Sequence, residues 1–358
     1  MSPQLTGTEA AGTATLPAHV GHGDLFTAHM VGSSWTEQSG WSPAELLPLA
    51  PIPMHPAMIG LHYAQVVFEG LKAHRQADGS VAVFRPWDNA RRFQRSASRL
   101  QMPQLPERDF VAAIDRLVAA DEAWLPNDPN LSLYIRPLMY ATESNLMLRP
   151  SAEYRFLVLA FLAGGFFGER PAPLSVWVSR EHARAMPGGT GDVKCAANYG
   201  PSFVAQQAAA EAGCQQVIWL DSVERRWVEE MGGMNLFLVR GTGPGAEVVT
   251  PALTGTLLPG VTRDSLLSIA ARLGHRPGQE RISVEQLRAE CESGLISEMF
   301  ACGTAAVVTP IGRIKDGDAQ WTVGSGEAGP ITLALRERLL DVQHGLAEDP
   351  EGWMHRVC

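Results

Sequence analysis

Lysine is nearly missing from this chain of 358 residues. Of its 29 basic residues only three are lysine, namely Lys72, Lys194 and Lys315, so the other 26 are arginine. Arginine stays protonated at almost any pH and is a poor nucleophile, whereas lysine can lose its proton and attack a carbonyl carbon. Any nucleophilic amine chemistry in this protein must therefore come from one of three side chains.

Long apolar runs and paired cysteines are lacking too. The longest apolar stretch, FLVLAFLAGGFFG, is too short to span a membrane and is interrupted by glycines. The opening stretch MSPQLTGTEAAGTATLPAHV has neither the basic start nor the apolar run of a signal peptide. The cysteines number five, and their spacing fits no metal-binding motif. We therefore expect a cytoplasmic protein with free thiols and no bound metal.

The chain also has no block of positive charge. Its formal net charge is −9, with 19% charged and 45% hydrophobic residues. This balance argues against a nucleic-acid-binding surface and fits an enzyme that acts on small molecules. A chain of this length with an ordinary apolar content favours two domains.

A cluster of glycine and proline in GGFFGERPAPL predicts the boundary between the two domains. We expect a flexible tail over residues 1–25, an N-terminal domain over 26–165, a linker over 166–174 and a C-terminal domain over 175–358. Strand-like and helical patterns are mixed along the chain, so the predicted fold class is α+β.

Local patterns predict several elements that carry polar side chains. GLKAHR and VAVFRP flank a turn signal and predict a hairpin. VEEMGGMNLF predicts two strands around a Gly-Gly turn, and LISEMFACGTAAVVTPI predicts two strands joined at Gly303 and Thr304. Two helices are expected to begin at side-chain caps, one at Asn89 and one at Thr262.

Lys194 lies among small residues in GGTGDVKCAANYG, with Tyr199 five positions later. Small residues let another molecule approach the backbone closely. A lysine that is shielded from water loses its proton more easily and becomes a nucleophile. A surface lysine in a glycine-rich loop explains this window equally well.

Two adjacent carboxylates, Glu229 and Glu230, follow an apolar stretch just before a tight turn. If the strand alternates, one of them must point inward, and a buried glutamate needs a cationic partner. The protonated ring nitrogen of a bound pyridine would be such a partner. The alternative is a solvated hairpin tip.

Three segments are candidates for binding a phosphate. LLPGVTRDS places Val261 and Thr262 at a helix start, where backbone N–H groups bind anions. ACGTAA offers further amides and the hydroxyl of Thr304, and Arg92 could add a guanidinium. Taken one at a time, a helix cap, a hairpin turn and a surface arginine are sufficient explanations.

Tyr134 and Arg136 are two residues apart in LYIRPLMY, so on a strand they share one face. A tyrosine hydroxyl beside a guanidinium suits a carboxylate, although a surface salt bridge has the same spacing. A lysine, an inward carboxylate, a phosphate site and a carboxylate site together suggest pyridoxal phosphate and an amino acid substrate.

Seven segments, in this order, resemble the branched-chain amino acid aminotransferases of fold type IV, which use pyridoxal 5′-phosphate. The segments are LHYAQVVFEGLKAHR, FRPWDNARRFQRSASRL, LYIRP, GGTGDVKCAANYG, VEEMGGMNLF, LLPGVTRDSL and EMFACGTAAVVTP. The resemblance covers nearly the whole chain. It implies a smaller N-terminal α/β domain, a larger C-terminal domain with a strand-rich, barrel-like core, and a cofactor at the domain interface.

The resemblance also implies the residues that bind the cofactor. Lys194 matches the lysine that holds the cofactor covalently and shuttles the substrate proton. Tyr199 matches the partner of the ring hydroxyl, and Glu230, rather than Glu229, matches the partner of the ring nitrogen. The implied phosphate ligands are Arg92, Val261, Thr262 and Thr304.

The implied substrate contacts come from both halves of the chain. Tyr134 and the amides of Thr304 and Ala305 match the residues near the substrate α-carboxylate. Arg136 matches the arginine that meets the side-chain carboxylate of glutamate, and Phe68 matches an apolar wall. Tyr63 matches a tyrosine that, in this family, reaches into the active site of the neighbouring subunit. The resemblance therefore implies a homodimer.

The implied activity is a reversible ping-pong transfer of the amino group between L-leucine, L-isoleucine or L-valine and 2-oxoglutarate. A D-amino acid aminotransferase or an aminodeoxychorismate lyase of the same fold type is the alternative, and a non-catalytic small-molecule binder is a remote one. The sequence does not rank the three amino acids, does not separate synthesis from breakdown, and does not define assembly beyond a dimer.

The chain departs from the family in three places. Phe166 stands where the family often has a tyrosine, so one contact to the acceptor is in question. Ala306 and Thr309 replace a redox Cys-x-x-Cys, so we expect no thiol switch. Ala196 and Ala197 replace a common pair of glycines and remain small, so we expect little effect.

Overall fold

The computed structural model describes residues 20–164 and 172–358. Most of the predicted tail, most of the predicted linker and Phe166 lie outside the described residues. Within the described residues the chain forms two compact units. No helix in this part of the chain is both long and apolar enough to cross a membrane.

The described residues contain strands and helices in a mixed order. The strands are β1 (Phe26–Thr36), β2 (Gly40–Trp41), β3 (Glu45–Pro48), β4 (Val66–Phe68), β5 (Leu71–Arg75), β6 (Val81–Phe84), β7 (Ser132–Ala141), β8 (Glu153–Ala163), β9 (Leu174–Ser179), β10 (Gln216–Leu220), β11 (Val228–Met231), β12 (Met234–Arg240), β13 (Glu247–Pro251), β14 (Arg276–Glu280), β15 (Ile296–Gly303), β16 (Val307–Asp316), β17 (Ala319–Thr322) and β18 (Met354–Arg356). The helices are α1 (Ile59–Tyr63), α2 (Pro86–Arg99), α3 (Glu107–Ala120), α4 (Phe203–Glu211), α5 (Val261–Arg272), α6 (Val284–Glu292) and α7 (Pro330–Gln343).

The first unit is a sheet of antiparallel pairs in the order β18-β6-β5-β7-β8-β1-β2, with β3 on β1 and β4 on β7. The predicted hairpin is confirmed as β5 and β6. Helices α2 and α3 cover part of this sheet, where Phe93, Phe110 and Phe156 pack ring against ring with centroids 5.2–6.1 Å apart. This aromatic cluster is fully buried and anchors α2, the helix that carries Arg92.

Two later segments also belong to the first unit, namely Lys194–Ala196 and Val342–Cys358. The sequence-based division assigned both to the second domain. Strand β18 pairs with β6, and Cys195 forms a bridge with Val67, so backbone hydrogen bonding ties each segment to the first sheet. The lysine of the glycine-rich stretch is therefore held by the first unit.

The second unit contains a closed ring of six strands in the order β11-β10-β9-β16-β15-β12, because β12 pairs back with β11. Strands β13, β14 and β17 extend this sheet beyond the ring. The α+β class and the barrel-like core are confirmed. Closure leaves no open edge among the six strands, and each of the two predicted strand pairs, β11–β12 and β15–β16, is present.

Both predicted helix caps are wrong. Helix α2 begins at Pro86, so Asn89 lies one turn inside it, and α5 begins at Val261 with Gly260 as its cap. Proline suits the first position of a helix because its missing N–H has no helical partner there. The side chains of Asn89 and Thr262 are consequently available for contacts other than capping.

Candidate active site

Lys194 is fixed to the first unit through its own backbone. Its N–H donates to the Oγ of Ser96 at 2.9 Å, and its carbonyl accepts the N–H of Phe68 at 3.1 Å. The Nζ atom lies 5.0 Å from the centroid of the Phe68 ring. Both backbone groups of this lysine are therefore held by other segments of the first unit, and its side chain is half-buried.

Glu69 is a site residue that sequence reasoning missed. Its side chain is fully buried, and its two oxygens accept from Nε and Nη2 of Arg92, each at 2.7 Å. Asn89 donates a further hydrogen bond at 2.8 Å. A single carboxylate inside the apolar stretch QVVFEGL was the available signal, since an ionised group at such a position needs a partner.

The charge state of Glu69 follows from these contacts. Burial alone would raise its pKa, but the charge and hydrogen bonds of Arg92, together with Lys194 and Asn89, hold the pKa below its usual range. Glu69 is therefore ionised at neutral pH. The guanidinium of Arg92, the predicted phosphate ligand, is held in a fixed plane by this bidentate pair.

Arg136 and Tyr134 lie on one face of β7, as their spacing predicted. The Arg136 guanidinium lies 4.9 Å from the Phe68 ring centroid and 5.4 Å from that of Tyr134. Its buried Nε has no hydrogen-bond partner among the described residues, which also contain no salt bridge to Arg136. The surface salt bridge is therefore wrong, and this half-buried cation is suited to a ligand carboxylate.

Gly70 makes room for the Tyr134 hydroxyl. A Cβ added at Gly70 would lie 2.0 Å from the Tyr134 Oη, so the tyrosine would have to move. We expect Gly70→Ala to raise the KM for amino acid substrates by about tenfold, the cost of one misplaced hydrogen bond to a charged group. Steady-state kinetics would measure it, with Gly278→Ala as the control because a Cβ there would meet only the Val249 side chain, at an ordinary contact distance of 3.4 Å. An unchanged KM in Gly70→Ala would contradict a role for Tyr134 in substrate binding.

Glu229 and Glu230 are both buried in the second unit, at 4% and 2% exposure. The sequence required only one of them to point inward, and the solvated hairpin tip is wrong. Glu229 accepts a hydrogen bond from Thr256. Burial raises the pKa of Glu229, and the Thr256 bond and Arg184 only partly offset this effect.

Glu230 has a different set of partners. One oxygen accepts from the Leu258 N–H at 2.7 Å and from Asn235 Nδ2 at 3.1 Å, and the other lies 2.9 Å from Nε of Arg184. One oxygen thus accepts two hydrogen bonds and the other forms an ion pair with Arg184. Glu230 and Tyr199 line the same small cavity, of about 30 Å³, within the second unit.

The start of helix α5 lies beside Glu230. A Cβ on Gly260 would come within 2.0 Å of the Asn235 Oδ1, and Asn235 itself donates to Glu230. Because Gly260 has no Cβ, the start of α5 can lie directly against Asn235 on β12, the neighbour of the strand that carries Glu230. Thr262 is buried in the first turn, where the helix's own hydrogen bonds do not use the leading N–H groups.

The turn with Thr304 and Ala305 lies at the same end of the barrel. Asn235 pairs with Glu230 on one side and with Cys302 on the other, so these three residues form one row across β11, β12 and β15. Val307, which ends the turn, has a φ of 57°, an uncommon conformation for a β-branched residue. Strain of this kind is concentrated at ligand-binding sites.

Comparison with known proteins agrees with this arrangement. The model of the family described as amino-transferase class IV matches residues 66–314. The chain is 52% identical over 346 residues to a probable branched-chain-amino-acid aminotransferase of Streptomyces coelicolor, covering 96% of this chain and 94% of that protein.

The chain belongs to the class IV aminotransferases.

Solved structures of this class share the fold. The branched-chain amino acid aminotransferase of Escherichia coli superimposes with a TM-score of 0.76 at 26% identity, over 93% of this chain and 100% of that one. The T.th. enzyme, solved with pyridoxamine 5′-phosphate, gives 0.72 at 29% identity, over 92% and 99%. The predicted family and the predicted fold type IV are confirmed.

The residues of this class IV aminotransferase fit pyridoxal 5′-phosphate chemically. The group needs an amine for its aldehyde, an anion for its ring nitrogen and an anion site for its phosphate. Lys194 is an amine held by the first unit, and Glu230 is a buried carboxylate of the second unit that pairs with Arg184 and accepts the Leu258 N–H. The start of α5 presents the leading N–H groups of a helix, which suit an anion, and a Cβ at Gly260 would collide with Asn235.

Three further residues were not found from the sequence. Arg184 pairs with Glu230, and Asn235 links that carboxylate to the carbonyl of Leu258. Asn198 donates to the carbonyls of Thr190 and Val193, and so shapes the loop before Tyr199. The quoted motifs include Asn198 and Asn235 but not Arg184, and only the long-range partners of the three residues show their roles.

Tyr63 lies at the end of α1, 45% exposed, with its hydroxyl donating to the carbonyl of Leu146 at 2.9 Å. The predicted contribution of this tyrosine to a neighbouring subunit stays a prediction. The exposed position is consistent with a surface that meets another molecule.

Proposed function

We propose that this chain is a branched-chain L-amino acid aminotransferase that uses pyridoxal 5′-phosphate and exchanges amino groups with 2-oxoglutarate in a ping-pong reaction. The observation that carries the proposal is Arg136, a half-buried guanidinium lying against the rings of Phe68 and Tyr134. These side chains place an apolar wall beside a cation, which the two substrate classes need. The names of the relatives support the same activity.

We propose the following roles at the cofactor. When bound, pyridoxal phosphate supplies a carbonyl that takes up the amino group and a ring that accepts electrons. Lys194 holds the group and moves a proton at the substrate Cα, and Glu230 keeps a proton at the ring nitrogen. Tyr199 donates to the ring hydroxyl. The phosphate is held by Arg92, Val261, Thr262 and Thr304.

For the substrate, we propose that Tyr134 and the amides of Thr304 and Ala305 receive the α-carboxylate. Phe68 packs against leucine, isoleucine or valine, and each buried methylene contributes about 0.8 kcal/mol. Arg136 receives the side-chain carboxylate of glutamate. The guanidinium lies against the rings of Phe68 and Tyr134, and the ring of Phe68 itself carries no charge. One site therefore offers an apolar surface for one half-reaction and a cation for the other.

Glu230→Gln should separate cofactor binding from turnover. The amide keeps the size of the side chain but cannot keep a proton on a pyridine nitrogen, so we expect kcat to fall by about 10²–10³-fold. Lys194 is unchanged, so the protein should still turn yellow with added pyridoxal phosphate. Glu229→Gln is the control, because Glu229 bonds to Thr256 and should tolerate an amide. A Glu230→Gln enzyme with wild-type kcat would contradict the assignment.

We further propose a homodimer in the cytoplasm. Large apolar side chains are exposed around Tyr63, and they include Leu61 at 58%, Met147 at 56% and Leu148 at 87%. Such a patch marks an interaction surface. The five cysteines are free thiols, as a reducing compartment would keep them. Light scattering on the purified chain should give twice the mass of one subunit, and a monomer would contradict the dimer.

The visible spectrum of the purified protein tests the proposed function directly. We expect a yellow band after addition of pyridoxal phosphate and its loss after addition of L-leucine alone, with recovery on adding 2-oxoglutarate. A band that ignores L-leucine but responds to D-alanine would indicate the D-amino acid enzyme. A protein that stays colourless with added cofactor would contradict the proposal.

A further inference from the structure

His22 lies over the sheet face that carries Tyr134 and Arg136. Its ring centroid is 5.0 Å from that of Tyr134 and 5.0 Å from that of Phe161, with the imidazole edge-on to both rings. The segment is tied to the first unit by the N–H of Gly164, which donates to the carbonyl of Gly21 at 3.1 Å. Neither the motifs nor the family resemblance drew attention to this histidine.

The row of side chains beneath His22 is defined by strand pairing. Lys72, Tyr134 and Phe161 are directly opposite one another on β5, β7 and β8, so their side chains share a face. Tyr134 and Phe161 stack at 4.9 Å. Arg136 lies two residues along β7 on the same face, so an imidazole, a guanidinium and a phenol flank one corner of the first unit.

The imidazole at this corner is neutral. Burial, and next the charges of Lys72 and Arg136, lower the pKa of His22 to about 4, with Asp24 acting in the opposite direction. A neutral imidazole accepts or donates a hydrogen bond without presenting a charge to an apolar ligand. It is therefore compatible with leucine and still able to bind a carboxylate.

We propose that His22 is a specificity-determining residue for the acidic substrate, hydrogen-bonding the side-chain carboxylate of L-glutamate and the distal carboxylate of 2-oxoglutarate beside Arg136. This inference rests on the proposed function. It gives the acidic substrate a neutral donor in addition to the Arg136 cation, and it adds no second charge that a branched-chain substrate would have to desolvate.

Two unreactive ligands allow binding at the distal end of the substrate to be compared while the shared carboxylate stays the same. Glutarate and 4-methylpentanoate share a carboxylate and two methylenes and differ in their other end, a carboxymethyl group against an isopropyl group. Calorimetry on the cofactor-loaded protein would give both dissociation constants. We expect His22→Phe, which keeps the ring packing, to weaken glutarate binding by about tenfold, as for one lost hydrogen bond to a charged group. The affinity for 4-methylpentanoate should change by less than about twofold.

A matched histidine gives the control. His355→Phe removes an imidazole that pairs with Asp115 and is not part of the proposed site, and it should leave both affinities unchanged. His22→Gln retains a hydrogen-bonding side chain and should bind glutarate more tightly than His22→Leu, which has a similar volume. This second pair decides the question if His22→Phe does not fold.

Equal weakening of both ligands in His22→Phe would show that the histidine only supports packing, and would overturn the inference. Unchanged glutarate binding would overturn it too. Kinetics provide a second readout, since we expect a raised KM for 2-oxoglutarate with an unchanged KM for L-leucine. A wild-type protein that does not respond to L-leucine would instead contradict the proposed function, so the two failures are distinguishable.

Discussion

Replacing Lys194 with alanine should abolish transamination. We expect kcat to fall by about 10⁴-fold or more, because the variant loses both its nucleophile and the group that moves the proton at the substrate Cα. The backbone contacts of residue 194 with Ser96 and Phe68 do not involve its side chain, so the fold should be kept. Single-turnover kinetics with L-leucine would measure the loss.

Because the chain has only three lysines, a modified lysine can be assigned to one position without ambiguity. Lys315→Ala is the control, because Lys315 donates to the carbonyl of Ala212 at 2.7 Å and lies in no proposed site. Borohydride reduction of the cofactor-loaded wild type should modify one peptide, the one containing Lys194. Appreciable turnover in Lys194→Ala, or labelling at Lys72 or Lys315 instead, would contradict the mechanism.

Removing the charge of Glu69 should strongly destabilise the first unit. Glu69→Gln leaves the buried guanidinium of Arg92 without its counter-charge, and breaking a buried ion pair in this way costs about 3–5 kcal/mol. Chemical denaturation would measure the free energy of unfolding. Glu292→Gln is the control: its pair with Arg288 is half exposed on both sides, so we expect a change of less than about 1 kcal/mol.

The same pair predicts a pH dependence of stability. The pKa of Glu69 in the folded protein is below its usual value of 4.5, so the folded state releases this proton more readily than the unfolded chain. Its contribution is present above about pH 4.5 and is lost as the pH falls through the folded-state pKa. The stability difference between wild type and Glu69→Gln should therefore narrow below pH 4.5. A constant difference down to lower pH would show that Glu69 is not the ionised partner of Arg92.

Local sequence patterns were sufficient for several elements of the fold. The hairpin of β5 and β6 and the strand pairs β11–β12 and β15–β16 follow from turn residues and alternation, which act over a few positions. The helix starts were less reliable. Asn89 and Thr262 are good capping residues by type, yet Pro86 and Gly260 begin the two helices.

The sequence by itself determined which residue types were available for chemistry. With three lysines, Lys194 in its small-residue setting was the strongest candidate for a nucleophile, and the ordered motifs around it indicated the family. These conclusions depend only on residue identity and on spacing along the chain, and the amino-acid sequence specifies both.

Only the tertiary structure decided which polar residues are buried and what they contact. Glu69 meets Arg92 from 23 residues away, Glu230 accepts the N–H of Leu258 from 28 residues away, and His22 packs on Tyr134, which is even more distant along the chain. Both Glu229 and Glu230 are buried, although alternation along a strand required only one. The physical reason is that the ionisation of a buried group depends on partners brought together by strand pairing and helix packing, and no local pattern specifies those partners.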